Sequence, residues 1–143
     1  MMNSHLNLEN KIPASILKDI KHYFDFLDGQ GFKISSAEYS PLYMGNWYVK
    51  FESAYYCIYI TNDRSDIILE FISAQKPQVP KNRISIEMMI YLVSNGHNSP
   101  THFKGNRALG KKKQLERLAN LLAEYLNPIT QYFRNESEHY EIN

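Results

Sequence analysis

The residues 105 to 112, Gly-Asn-Arg-Ala-Leu-Gly-Lys-Lys, fit the spacing G-x-x-x-x-G-K and run into a helix-forming segment. Such a loop cradles phosphate on backbone N–H groups at a helix N-terminus, with Lys111 reaching the outer phosphate oxygens. Two features oppose that chemistry. Lys112 stands where Ser or Thr would hold magnesium, and Ser99-Pro100-Thr101-His102 is not the buried apolar strand that feeds such a loop. The stretch reads instead as polar surface before a helix. Lys104, Arg107, Lys111, Lys112 and Lys113 nevertheless form a run of bases with no acid among them. They offer a surface for phosphates, nucleic acid or an acidic partner. The three consecutive lysines also sit at the positive end of the following helix dipole, where cations are disfavoured.

The other reactive side chains are isolated. His97 and His102 share a loop, but no Asp or Glu lies between them to complete a metal shell or act as base. His22 lies on a helical segment with Asp19 and Asp25 three positions away, a surface pattern. Cys57 is the only cysteine and sits among Tyr55, Tyr56 and Tyr59, with no base or helix N-terminus to form a thiolate. A packing role follows, and neither an intramolecular disulfide nor a cysteine-based zinc site is possible. Glu52 and Glu70 can share a strand face, but Lys50 is equally near, which reads as cross-strand charge pairing. Asp63-Arg64 falls at a hairpin tip, where Asp serves the turn and Arg64 is available to a partner's carboxylate. Asn135-Glu136-Ser137 matches a glycosylation sequon, which has no meaning in a cytosolic chain. No catalytic residue, cofactor site or metal site emerges, so an enzyme is not expected unless distant residues assemble one.

These residues must be positioned by a scaffold of modest size. The chain has 143 residues, a single-domain length able to bury a core without metal or disulfide support. Its net charge of +1 lacks the broad positive footprint of a dedicated nucleic-acid binder. Residues 1 to 10 are polar, so no signal peptide is expected, and no window has the roughly 20 apolar residues of a membrane span. A cytoplasmic location is expected.

The periodicity predicts an α+β domain of one helix, four strands and two helices. Pro13 suits a first helical turn, and Ile16, Ile20, Phe24 and Leu27 form an apolar stripe ended by Asp28-Gly29-Gln30-Gly31. Strands follow at Phe32–Tyr39, Trp47–Glu52, Tyr55–Thr61 and Ile67–Ile72, with a polar hairpin loop over Asn62–Asp66. Their short connections require an antiparallel meander. Ser85 caps a short helix over Ile86–Ser94, ended by Asn95-Gly96. A long helix starts near Lys111 and carries Leu115, Leu118, Leu122, Tyr125, Leu126, Ile129 and Phe133 on one stripe. Pro128 predicts a kink or break in it, and residues 1–11 and 134–143 are expected to fray. Segregated helices and strands place the helices on one sheet face. The first or the fourth strand must lie at a sheet edge, and an unprotected edge can dimerise.

Alternation divides the sheet into two faces. Trp47, Val49, Phe51, Ile58, Ile60, Leu69 and Phe71 are expected in the core, and Tyr48, Lys50, Glu52, Tyr55, Tyr59 and Glu70 on the other side. Tyr and Arg are favoured at interface centres, since they give area and hydrogen bonds at modest entropic cost.

The pair of segments Trp47-Tyr48-Val49-Lys50-Phe51-Glu52-Ser53 and Tyr59-Ile60-Thr61-Asn62-Asp63-Arg64, followed by Ile67–Phe71, resembles small uncharacterised bacterial proteins. Some of these are regarded as immunity proteins of polymorphic toxin systems. The resemblance covers about half the chain. It implies a non-enzymatic protein that binds a cognate toxin stoichiometrically and blocks it. The expected contact residues are Tyr48, Lys50, Glu52, Tyr55, Tyr59, Asp63, Arg64 and Glu70. The alternative is a nucleic-acid or phosphate-ligand module using Lys104, Arg107, Lys111, Lys112 and Lys113.

Overall fold

The computed structural model describes residues 11–43, 45–98 and 109–142. Helix α1 spans Ala14–Tyr23, and a 3₁₀ turn over Asp25–Gln30 completes the first helical segment. Pro13 precedes the helix as its N-cap rather than lying in its first turn. The single helix expected as far as Leu27 is thus divided at Phe24, whose ψ of 21° departs from helical geometry. The tighter turn still buries both Phe24 and Leu27. Gly31 then turns the chain at φ 87°, a left-handed conformation that glycine adopts without a Cβ penalty.

Four strands follow: β1 Lys33–Ser40, β2 Asn46–Glu52, β3 Tyr56–Asp63 and β4 Asp66–Ser73. A fifth, β5, is only Ile84–Ser85 and pairs with Glu70 and Phe71. The sheet is therefore five-stranded, not four-stranded, with order β1-β2-β3-β4-β5 and every pairing antiparallel. Two residues of pairing carry too little alternation to be read as a strand. The β3–β4 connection is also shorter than expected. Asp63 pairs with Asp66, so only Arg64 and Ser65 turn, at φ 50° and 71°. Two successive positive φ values match the right-handed twist of the flanking strands.

Helix α2 spans Ile86–Val93, and the Ser85 hydroxyl accepts the Met88 N–H at 3.2 Å as its cap. Asn95 and Gly96, both at positive φ, end the segment. Helix α3 spans Lys111–Ile142. It passes through Pro128 without a break. The proline is exposed, so the Glu124 carbonyl that it leaves unpaired lies on the solvent side. Nor does the helix stop at Phe133. Gln75 donates from Nε2 to the Ser137 hydroxyl at 2.9 Å, and Lys76 lies 4.0 Å from Glu136, so the loop after β4 anchors the last turns.

One cluster unites the seven expected core residues with Leu17, Ile20, Ile86, Met89, Leu122 and Phe133 from the helices. Its centre is aromatic. Tyr56 stacks on Phe133 at 4.5 Å between ring centroids, and Phe32 meets Tyr56 edge-on at 5.1 Å. The Tyr56 and Thr130 hydroxyls share a hydrogen bond of 2.8 Å, which supplies the polar partner that a buried phenol needs. Burial pushes the Tyr56 phenol up to about 12, against the smaller opposing effect of Thr130.

Gln114 closes one end of the β4 edge. It is buried on α3, accepts the Ile67 N–H at Oε1 (2.8 Å) and donates from Nε2 to the Ser65 carbonyl (2.8 Å). Gln114→Ala leaves both backbone groups unpaired. Urea denaturation should show a loss of about 1–3 kcal/mol.

Tyr56 generates a pH-dependent prediction. The native fold holds its neutral form, while the unfolded chain ionises it near the ordinary value of 10.0. Its contribution is complete below that value and is lost as pH rises towards about 12. Tyr56→Phe should therefore cost about 1 kcal/mol at about pH 8. That penalty should shrink or reverse at about pH 11, measured by urea denaturation of both proteins.

Candidate functional site

The face of the sheet away from the helices is set by register. Four rows of side chains cross it. Lys33, Glu52, Cys57 and Ile72 form the first, and Ser36, Lys50, Tyr59, Glu70 and Ser85 the second. The third is Glu38, Tyr48, Thr61 and Ile68, and the fourth consists of the two pairs Ser40–Asn46 and Asp63–Asp66. These rows arise because opposed residues in antiparallel strands project to the same side.

The second row is already occupied from above. The residues between β4 and β5 fold back over it, with a 3₁₀ turn at Pro80–Asn82. The Tyr59 hydroxyl donates to Gln78 Oε1 at 2.9 Å, and Gln78 Nε2 donates to the Ser73 and Lys76 carbonyls at 3.0 Å. Arg83 sets its guanidinium 4.8 Å from the Tyr59 ring centroid and donates from Nη1 to Glu70 Oε1 at 3.2 Å. Lys50 approaches the same ring at 5.7 Å and pairs with Glu52 at 3.7 Å. Cys57, Tyr59 and Ile72 form a small buried cluster with Tyr48 against it.

This differs from the sequence expectation in three respects. Tyr59 is 5% exposed and is largely part of the molecule's interior. Tyr55 precedes β3 and packs against the main core, with the Arg134 guanidinium 5.3 Å from its ring, so it does not join the other face. Glu70 pairs with Arg83 rather than with Lys50. Arg83 and Gln78 were invisible as site residues, because their loop returns to the sheet only through tertiary contacts. Glu38 had a usable signal: it alternates with Ser36 and Ser40 along β1.

Rows three and four remain open. They form a groove of about 310 Å³ whose lining includes Glu38, Tyr48, Thr61, Asp63, Ile68 and Arg83. Ser36 donates to the Tyr48 hydroxyl at 3.3 Å, holding the ring at the groove's side. The Thr61 Oγ1 and Arg83 Nε atoms are buried without a hydrogen-bond partner among the described residues. At the open end, Arg64 pairs with its own neighbour, Nε to Asp63 Oδ1 at 3.2 Å, and its backbone N–H donates to Asn46 Oδ1 at 2.8 Å. Arg64 stays largely exposed and Asp63 about half-exposed. The Asp63 carboxylate thus orients Arg64 at the hairpin tip.

Surroundings on this face favour a charged Lys50 and a neutral Cys57 and Tyr59. Burial lowers Lys50, but its surroundings of Cys57, Tyr59 and Glu52 outweigh that effect, and its net direction is upward. Burial raises both the Cys57 thiol and the Tyr59 phenol, with Lys50 only partly opposing it. A raised thiol is a poor nucleophile. Among the described residues no group of three His, Cys, Asp or Glu could hold a metal ion, and no helix is long and apolar enough to cross a membrane.

The basic run is divided. Lys111, Lys112 and Lys113 are exposed on the first turn of α3, whereas Lys104 and Arg107 lie outside the described residues. His102 and Gly105 also lie outside them. The described element before that stretch is helix α2, and residues 99–104, which immediately precede Gly105, lie outside the described residues. His97 is exposed, and His22 sits on α1 with its ring 4.8 Å from that of Tyr23.

The fold and face together define an α+β domain with one covered and one partly open side of an antiparallel sheet. No protein-family model, curated protein or solved structure matches the chain.

Cys57 provides a direct check on the second row. Under native conditions a thiol reagent should modify it at least about tenfold more slowly than in urea, because it is buried and protonated. Tyr59→Ala should accelerate native modification by removing the ring beside it, followed by absorbance of the released chromophore.

Proposed function

We propose that this chain is a non-enzymatic, cytoplasmic protein-binding domain of the immunity or antitoxin kind, acting by stoichiometric capture of a partner. The observation that carries the reading is the open groove beside Tyr48 on a sheet face that the helical core does not use. A half-buried tyrosine at a groove's side gives contact area with little ordering cost on binding. Arg64 at the adjoining tip supplies a preoriented guanidinium. Charge-assisted contacts from such a group are stronger than neutral ones and fix the orientation of a partner.

The contact set proposed from the groove is Tyr48, Asp63 and Arg64, with Glu52 further along the same face. Tyr59 and Glu70 are already engaged by the loop between β4 and β5, and Lys50 lies over the Tyr59 ring, so these three act as support. Binding blocks a toxin by covering its site, which requires no chemistry from the binder. The resemblance of residues 47–53, 59–64 and 67–71 to small uncharacterised bacterial proteins, some regarded as immunity proteins, favours this class over other binders.

The test is capture from extract of the chain's own cells, using the wild type, the double variant Tyr48→Ala/Arg64→Ala and the exposed-helix control Lys18→Ala. The wild type and control should retain one stoichiometric partner, and the double variant should bind it at least about tenfold more weakly. Coexpression of that partner should arrest growth unless the wild-type chain is present. Equal capture by the double variant, with all three proteins equally folded by circular dichroism, defeats the proposed surface.

A further inference from the structure

We infer that the β1 edge between Ser36 and Ser40 accepts an extended segment of a protein partner, and that this segment places a lysine or arginine against Glu38. The inference rests on the protein-binding reading and specifies the partner's chemistry. Its first observation is the unequal treatment of the two sheet edges. The β4 side is closed by β5 at Glu70 and Phe71, and by the Gln114 amide at Ile67 and Ser65. The opposite edge is the outer side of β1, which pairs with no strand among the described residues. An unpaired edge carries backbone donors and acceptors that an extended chain can satisfy.

The second observation limits where that chain fits. The β1–β2 register shifts between Ile34 and Ser36, and Lys33 lies beyond the shift. A bulge and a charged residue interrupt a regular ladder. Regular pairing is left to the five residues Ser36–Ser40.

The third observation sets the charge. Glu38 is exposed on the open face and has no ion-pair partner among the described residues. Asp63 and Glu70 in the same groove already face Arg64 and Arg83. A strand added outside β1 would bring one side chain to about 5 Å from Glu38, Cβ to Cβ, on that face. A base there neutralises the uncompensated carboxylate and extends across the ring of Tyr48, the next residue in the row. A second copy of this chain fits less well. Ser36–Ser40 contains no base to place opposite Glu38, and pairing centred on Glu38 would oppose like charges.

Selection of random decapeptides displayed on phage, on the immobilised wild type and on Glu38→Lys, tests the inference. Wild-type selection should enrich Lys or Arg over Asp or Glu about tenfold at one position, and Glu38→Lys should invert the preference. The selected peptide should shift the backbone amide resonances of Ser36–Ser40 most strongly. An empty selection, the same consensus on both proteins, or shifts centred away from β1 would overturn it. So would sedimentation of the chain alone as a dimer whose β1 amides are protected. If β1 selection fails while cell-partner capture still depends on Tyr48 and Arg64, this inference falls alone. If both fail, the binding reading falls with it.

Discussion

The stack of Tyr56 on Phe133 is the contact on which the rest of the domain depends. Tyr56 begins the central strand and Phe133 lies more than halfway along the last helix, so the contact joins segments far apart in sequence. Its hydroxyl finds Thr130 one turn earlier on the same helix, which fixes the helix's rotation as well as its position. With α3 set, Gln114 reaches the start of β4 and Ser137 reaches Gln75 at the other end. The helix is thereby held at both ends by polar contacts and in the middle by rings. Loss of the stack would release all of these together, because each depends on the same rigid rod.

This division of labour explains why the two sheet faces differ so much. The helices cover one face by apolar burial, which is non-directional and tolerant of detail. The other face is ordered by directed contacts: Tyr59 with Gln78, Arg83 with Glu70, Arg64 with Asp63. Directed contacts specify geometry without consuming the whole surface. A groove can persist between them, at Tyr48 and Thr61, where a fully apolar layer would have closed.

Much of the scaffold was legible because its signals are local. Alternation in Trp47–Glu52 set the inward residues, and all seven expected core side chains on the strands are buried. Ser85 announced a cap and Asn95-Gly96 a stop. The failures share a physical cause, which is tertiary override. Residues 134–142 look polar enough to fray, yet Gln75 and Lys76 hold them helical. Pro128 breaks helices in general, but on a solvent-facing side its missing bond can be hydrated. Tyr55 has the correct parity for the open face and leaves it because it precedes the strand's regular geometry and meets Arg134. The site was less legible than the fold: Arg83 and Gln78 reach Tyr59 through a loop whose return path no periodicity encodes.

The position of α3 at the C-terminal side of the chain has a consequence during synthesis. The meander consists of neighbouring strands and can assemble as soon as Ser73 has emerged, since hairpin pairing takes microseconds against residues added at about 5–20 per second. Its apolar side then lacks part of its cover, with only the α1 segment made before it, until α2 and the 32-residue α3 have followed. Phe71 waits for Phe133, which lies 6.3 Å from it between ring centroids and follows more than halfway along that helix. Protein production is therefore the stage at which this domain most resembles an aggregation-prone sheet, and closure by the final helix is a race between translation and self-association.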